Sequence, residues 1–278
     1  MPYAGSNGAD WRRTRKGING ERFPVAHRPI SVQLYSVRNA LEVDPVGTID
    51  RIADIGFEAV EAGFKYLSSY PELVDAIHRH GLLTPTLTSP LFEVADRVPV
   101  WELAKRLGAH TVVDTFIPEP HWTSVADVDH IAAELNQAAV EAADHGLRVG
   151  YHNHWWELET EFNGERAMEL LITRLSPQII LEVDAYWVAV GGEDPVEFVR
   201  RHADRVRYLH LKDGPINRDN AEQRPAGTGA MPIPALLDAA PNLEAAIVEF
   251  DEYSGDVFEA IAESHVYLTG LVSDGVRG

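Results

Sequence analysis

The chain has 278 residues, 45% of them hydrophobic, enough for a sizeable core in one large domain or two ordinary ones. Its 24 Lys and Arg stand against 43 Asp and Glu, and a net charge of −19 repels phosphate backbones and anionic lipid, so neither nucleic acid nor a membrane is an expected partner. No cysteine occurs, which removes disulfides, thiolate zinc sites and a cysteine nucleophile.

In chain order, residues 1–28 form a polar N-terminal extension; Arg12 and Arg13 are not followed by the apolar stretch that a secretion signal requires. No uninterrupted apolar run elsewhere approaches the ~20 residues that span a bilayer, and a cytoplasmic location is expected. The first strand is "ISVQLYSV". Three units then follow in which a helical stretch ends at a glycine and gives way to a β-like run: "TIDRIADIG" before "FEAVEAG", "ELVDAIHRHG" before "LLTPTLTS", and "VWELAKRLG" before "AHTVVD". The long "SVADVDHIAAELNQAAVEAADHG" leads into "LRVGYHNH" in the same manner. Gly56, Gly81, Gly108 and Gly146 fit the left-handed cap just past a helix end, where other residues meet a steric penalty. Apolar spacing of three and four marks the helices, as in Leu73, Val74 and Ile77, or Ile131, Leu135, Ala138 and Ala139.

The second half continues without the glycine. "ERAMELLITRL" precedes "QIILEVDAYWV", "PVEFVRRHA" precedes "RVRYLHLKD", "PIPALLDAA" precedes "EAAIVEFDE", and "GDVFEAIAESHVYLTGLV" closes the chain. Eight strands alternating with helices in about 250 residues predict an α/β fold, a (β/α)8 TIM barrel of one domain over residues 29–278. A dinucleotide-binding sheet is disfavoured, because no GxGxxG follows the first strand.

In such barrels the chemistry sits at the C-terminal ends of the strands. Those ends carry Gln33 and Tyr35, Glu61, Asp114, His152 with His154 and Glu157, Glu182 with Asp184, His210 with Lys212 and Asp213, and Glu249 with Asp251. Alternation sorts three of these strands. Leu209 and Leu211 oppose Tyr208, His210 and Lys212; Leu181 and Val183 oppose Glu182 and Asp184; Val248 and Phe250 oppose Ile247, Glu249 and Asp251. With the apolar sets against the helices, the charged sets point inward, where unpaired carboxylates are costly. A divalent cation held by Asp184, His210 and Glu249 is the natural compensator, and mixed carboxylate and imidazole ligands suit Mn2+, Mg2+, Co2+ or Zn2+ without selecting among them. "LRVGYHNH" shows no clean apolar face, so alternation leaves strand five undecided.

The motifs "SVQLYSVR", "GFEAVE", "YHNHWWE", "EVDAYWV", "YLHLKD" and "VEF", in this order, resemble the xylose isomerase-like TIM barrel superfamily from about Ile30 to Leu271. That group contains sugar isomerases and epimerases together with inosose dehydratases and keto-sugar lyases. The resemblance implies one divalent metal, Mn2+ first, held by Glu, Asp, His and Glu from strands five to eight. Asp184, His210 and Glu249 match the last three; no carboxylate lies inside strand five, so Glu157 is expected to complete the set, with His152 as the alternative. It further implies proton transfer next to a sugar carbonyl, with Glu157 and Glu249 as the two proton-transfer groups and Lys212 at the oxyanion. Gln33, Glu61, His152, His154 and Trp187 are the expected substrate contacts.

In the loop "GPINRDNAEQRPAGTGAMPIP", Gly227 and Gly229 match a GxG that the resemblance implies, as part of a lid, a phosphate-binding turn or a plain connection. The acidic balance favours an unphosphorylated sugar or cyclitol, and the family habit implies a homo-oligomer. An isomerase or epimerase is the leading expectation. A lyase is its alternative, because both share a metal and a base, and a non-catalytic sugar-binding or partner subunit is a further one, given the displaced strand-five glutamate.

Overall fold

The computed structural model describes residues 28–275; of the expected N-terminal extension only Arg28 falls among them. Eight strands run in one direction: β1 (Ile30–Gln33), β2 (Ala59–Gly63), β3 (Thr86–Thr88), β4 (Thr111–Asp114), β5 (Arg148–His152), β6 (Ile180–Asp184), β7 (Val206–His210) and β8 (Ala245–Val248). Each pairs with its sequence neighbours, and β1 also pairs with β8, which closes the barrel and leaves no free edge. A two-stranded ribbon, Glu161–Phe162 with Glu165–Arg166, is inserted after β5.

The glycine breaks act as their position suggests. Gly56 and Gly108 adopt φ of 106° and 77° directly after the helices Pro45–Ile55 and Val98–Leu107, a conformation that a Cβ would strain. Asp44 and Ser124 start the helices Pro45–Ile55 and Val125–Asp144 by accepting from Gly47 N and Asp127 N. Leu73, Val74 and Ile77 are buried, as are Ile131, Leu135 and Ala138, while Ala139 is half-buried at the margin of the stripe.

Alternation along the strands divides the core in two. Val32, Val60, Leu87, Val112, Val149, Leu181, Leu209 and Val248 face outward into one large apolar shell under the helices. Ile180, Tyr208, Ala245 and Ile247 form a separate cluster inside the barrel. Tyr208 makes this a floor, its hydroxyl lying 3.2 Å from Thr111 Oγ1 and Arg148 Nη2 and 3.0 Å from Glu244 Oε2. A register shift between Leu181 and Glu182 places Glu182 beside Tyr208 and Asp184 beside His210. The polar inward residues of β6 and β7 thereby stand level at the C-terminal end.

Candidate active site

Four side chains converge above that floor: His152 at the end of β5, Asp184 at the end of β6, His210 at the end of β7 and Glu249 just past β8. Each offers one ligand atom, and these atoms all lie within 4.8 Å of one another. His210 Nδ1 is 2.6 Å from Glu249 Oε2, and His152 Nε2 is 3.7 Å from Asp184 Oδ2. Asp184 is fixed independently of any ligand. Its Oδ1 accepts from Trp187 N at 3.0 Å, capping the helix Ala185–Val190, and Asn153, just past β5, grips its backbone with bonds of 3.1 and 3.2 Å. Oδ2 is left for the centre of the group.

Lys212 supplies the balancing charge. Its ammonium lies 2.5 Å from both Asp184 Oδ2 and Glu249 Oε2 and 3.3 Å from Asp251 Oδ2. Burial works against charge on all these groups, yet the neighbours override it. Asp184, Asp251 and Glu249 hold the Lys212 ammonium well above its ordinary range, and Lys212 and His210 hold Glu249 well below the usual carboxylate range. Burial raises Asp184 to about 6 despite Lys212. Burial, helped by His210 and His154, keeps His152 neutral. An ammonium standing among converging carboxylates and a neutral imidazole is what a cation-binding set looks like when charge is balanced from within, so the residues fit a divalent ion. Two imidazoles and two carboxylates suit Mn2+, Co2+ or Zn2+ better than the oxygen-seeking Mg2+.

Glu157 does not join this group. Tyr151 faces outward, continuing the face of Leu147 and Val149, and its hydroxyl donates to Glu157 Oε1 at 2.7 Å. The other oxygen accepts from His154 N at 3.0 Å. Burial pushes the Glu157 carboxyl up to about 8 in spite of the Tyr151 bond. The side chain ties the start of the short helix Trp156–Glu159 to β5 from outside the barrel, and His152 takes the strand-five position.

Gln33 and Glu61 are joined to each other. Both point inward, but Glu61 lies one inward step below Gly63, the last residue of β2, and is sealed from solvent. Glu61 accepts from Gln33 Nε2 at 2.6 Å and from Thr86, and lies 2.9 Å from His210 Nε2. Glu61 thus lies below the mouth, while Gln33 keeps slight exposure at the end of β1. Asp114 faces outward like Tyr151, its partner in register, and holds Leu91 N, Phe92 N and Phe116 N.

His154 is the expected substrate contact that remains at the rim. It is half-buried, stacks on Trp156 at 8° with centroids 4.3 Å apart, meets the edge of the exposed Phe116, and leaves Nδ1 without a partner. Burial, then Lys212, lowers it to about 3, so its ring is neutral. Trp187 is buried with its ring centroid 5.6 Å from Lys212 Nζ, and its indole N–H is likewise unpartnered.

The glycines of the loop after β7 are committed elsewhere. Asp213 Oδ2 accepts from Gly227 N at 2.9 Å and Gly229 N at 3.0 Å, while Oδ1 accepts from Gly214 N and Met231 N. These N–H groups turn onto the carboxylate and cradle no phosphate. Asp213 therefore organises the loop rather than the chemistry. Sequence reasoning had no role for Asn153 or Thr86, whose positions become meaningful only when barrel closure sets their partners.

The family model of the xylose isomerase-like TIM barrel matches residues 49–246. An inosose dehydratase of Geobacillus kaustophilus (strain HTA426) is 32% identical over 149 residues, 50% of this chain and 45% of that relative. One of Geobacillus thermodenitrificans (strain NG80-2) is 24% identical over 229 residues, 71% of this chain and 76% of its own length. The chain thus spans less than half of the first relative and about three quarters of the second. Among solved structures, a sugar phosphate isomerase/epimerase from Parabacteroides distasonis ATCC 8503 superposes with a TM-score of 0.72 at 22% identity, covering 87% of this chain and 94% of that one. Among the described residues no helix is long and apolar enough to cross a membrane.

Proposed function

The chain belongs to the xylose isomerase-like TIM barrel family, and from that premise we propose that it is a metal-dependent lyase that eliminates water from an unphosphorylated keto-sugar or keto-cyclitol. The observation that carries this reading is the placement of Glu157 away from the converging group. Epimerisation through two carboxylates needs a second one facing Glu249 across the substrate, and Glu157, the expected second, is locked by Tyr151 and His154 on the outer side of β5. Elimination needs one. Of the four converging residues Glu249 is the most open to the mouth, at 7% against 0% for Asp184. The inosose dehydratases among the relatives support the same class, and the committed glycines of the Asp213 loop support a substrate without phosphate.

His152, Asp184, His210 and Glu249 would hold the ion, Mn2+ first, with Co2+ and Zn2+ also suited to the set. When bound, it supplies Lewis acidity toward the substrate carbonyl. The chain's own groups do the rest. Glu249, engaged through Oε2 by His210 and Lys212, takes the proton from the carbon beside the carbonyl with Oε1. The C–H electrons become the carbon–carbon double bond, the β-hydroxyl departs with its bonding pair, and the Glu249 carboxylic acid returns the proton to it as water. The Lys212 ammonium faces the negative charge that grows on the carbonyl oxygen.

One observation favours a second reading, isomerase or epimerase. The neutral His154 ring, whose buried Nδ1 has no hydrogen-bond partner, is a group that can return the proton from another direction. Incubation in D2O with Mn2+ and a panel of inososes, ketohexoses and 3-keto-glycosides separates the two. Loss of one water with a new conjugated-carbonyl absorbance supports elimination; solvent deuterium at carbon in an otherwise unchanged mass supports epimerisation. Turnover that survives Glu249→Gln undiminished would overturn both.

A further inference from the structure

We infer that Glu182 and Glu61, two carboxyl side chains sealed beneath the site, are positioning residues that decide which ring nitrogen each histidine presents to the ion. This rests on the metal-centre reading above. An imidazole ligand offers one nitrogen and needs an acceptor for the N–H on the other, and that acceptor fixes both tautomer and ring orientation. The two histidines here are held in opposite senses. His152 places Nδ1 3.2 Å from Glu182 Oε1, which leaves Nε2 on the side of Asp184. His210 places Nε2 2.9 Å from Glu61 Oε1 and 3.2 Å from Glu182 Oε1, which leaves Nδ1 on the side of Glu249. One oxygen of Glu182 thus serves both rings, whose centroids are 4.5 Å apart at 69°.

The support is itself supported. Gln33 Nε2 donates to Glu61 Oε1 at 2.6 Å and Thr86 Oγ1 donates to Glu61 Oε2, so this carboxylate is aimed before either histidine meets a ligand. Glu61 and Glu182 have no solvent exposure, so substrate does not reach them. Glu61, Glu182 and His210 also bring donor atoms within 4.8 Å of one another. A second ion there is disfavoured by the amide and hydroxyl hydrogens already directed at both oxygens of Glu61. The pair therefore acts through the histidines.

The test uses the full chain stripped of metal and titrated calorimetrically with Mn2+, as wild type, Glu182→Gln and Glu61→Gln, each checked for a cooperative melt. The expected result is one ion per wild-type chain and binding roughly 10- to 100-fold weaker in either variant. Imidazole ¹⁵N spectra of the Zn2+-loaded wild type keep the inference falsifiable where a variant fails to fold. They should show the proton on Nδ1 of His152 and on Nε2 of His210. The reverse pattern, unchanged affinity in folded variants, or two ions per chain overturns the positioning role alone. A wild-type chain that binds no divalent ion overturns the metal centre and this role with it.

Discussion

The Lys212 ammonium lies 2.5 Å from Asp184 Oδ2, with 1% and 0% of the two side chains exposed. The contact is held from both sides. Asn153 and the helix that Asp184 caps fix the carboxylate, and Glu249 and Asp251 draw the ammonium from the neighbouring end of β8. A buried ion pair of this kind is weak evidence for net stability, because desolvation offsets its attraction, but breaking one side leaves an uncompensated charge. It keeps two carboxylates poised around the centre where the four side chains converge.

Lys212→Met should therefore destabilise the metal-free chain by about 3–5 kcal/mol, the cost of stranding buried carboxylates. Mn2+ at a hundred times its dissociation constant should return about 2.7 kcal/mol, since the ion supplies the missing positive charge in the folded state. Urea unfolding with and without Mn2+ measures both. If the variant and the wild type have the same midpoint in EDTA, the ammonium is not the balancing charge.

Glu157→Gln should bind Mn2+ as tightly as the wild type, whereas His152→Ala should lose at least about tenfold, because only His152 stands among the converging ligand atoms. The pH dependence of stability gives an independent check. Burial holds the Glu157 carboxyl at about 8 in the folded chain, against roughly 4.3 when unfolded. Below the lower value both states are protonated and the group imposes no cost. Between the two values the unfolded chain releases the proton first, so stability falls as pH rises through the window and levels off above about 8. The glutamine variant lacks this slope. Denaturant midpoints at either end of the window should converge on, or cross to favour, the variant at the alkaline end; parallel curves would show that Glu157 is ionised in the fold.

Much of this was legible because the C-terminal ends of β6 and β7 and the residues just past β8 are apolar on one face and polar on the other. In "YLHLKD" the leucines must meet helices, which sends Tyr208, His210 and Lys212 inward, and the structure places them there. Strand β5 hid its phase. Gly150 has no side chain to report a direction, and Tyr151 is a large ring with a polar tip, so its outward burial did not read as apolar. The usable signal was Leu147 and Val149, whose face continues through Tyr151 and leaves His152 inside. The depth of Glu61 depends on β2 running on through Gly63 before its loop begins, which "GFEAVEAG" does not mark. The partners of Asn153 and Asp213 depend on long-range closure and loop conformation, which no local pattern specifies.

Asp213 accepts four backbone N–H bonds across the loop that follows β7. Asp213→Ala leaves those donors without their acceptor, at about 1–3 kcal/mol for each that stays buried, so a loss of at least about 3 kcal/mol is expected. Asp213→Asn keeps one accepting oxygen and should fall between. Hydrogen exchange should locate the damage at Gly214 and from Gly227 to Met231. Fast exchange there already in the wild type would remove the loop-organising role.

Tyr208 offers the opposite control, since it sits two residues below His210 on the same inward face. Its hydroxyl bridges Thr111, Arg148 and Glu244 at the barrel floor. Arg148 keeps its own bonds to Glu244 at 2.9 and 2.6 Å without that hydroxyl, so no charge is stranded when it is removed. Tyr208→Phe should then cost about 0.5–1.5 kcal/mol, the net worth of an ordinary hydrogen bond. Mn2+ affinity and turnover should stay at wild-type levels, because the phenylalanine ring keeps its shape beside Glu182 and leaves Glu61 and Glu182 in place beneath the histidines. A fall in metal affinity alongside stability would mean that the floor and the site are one mechanical unit, and that the layered separation of scaffold from chemistry does not hold in this barrel.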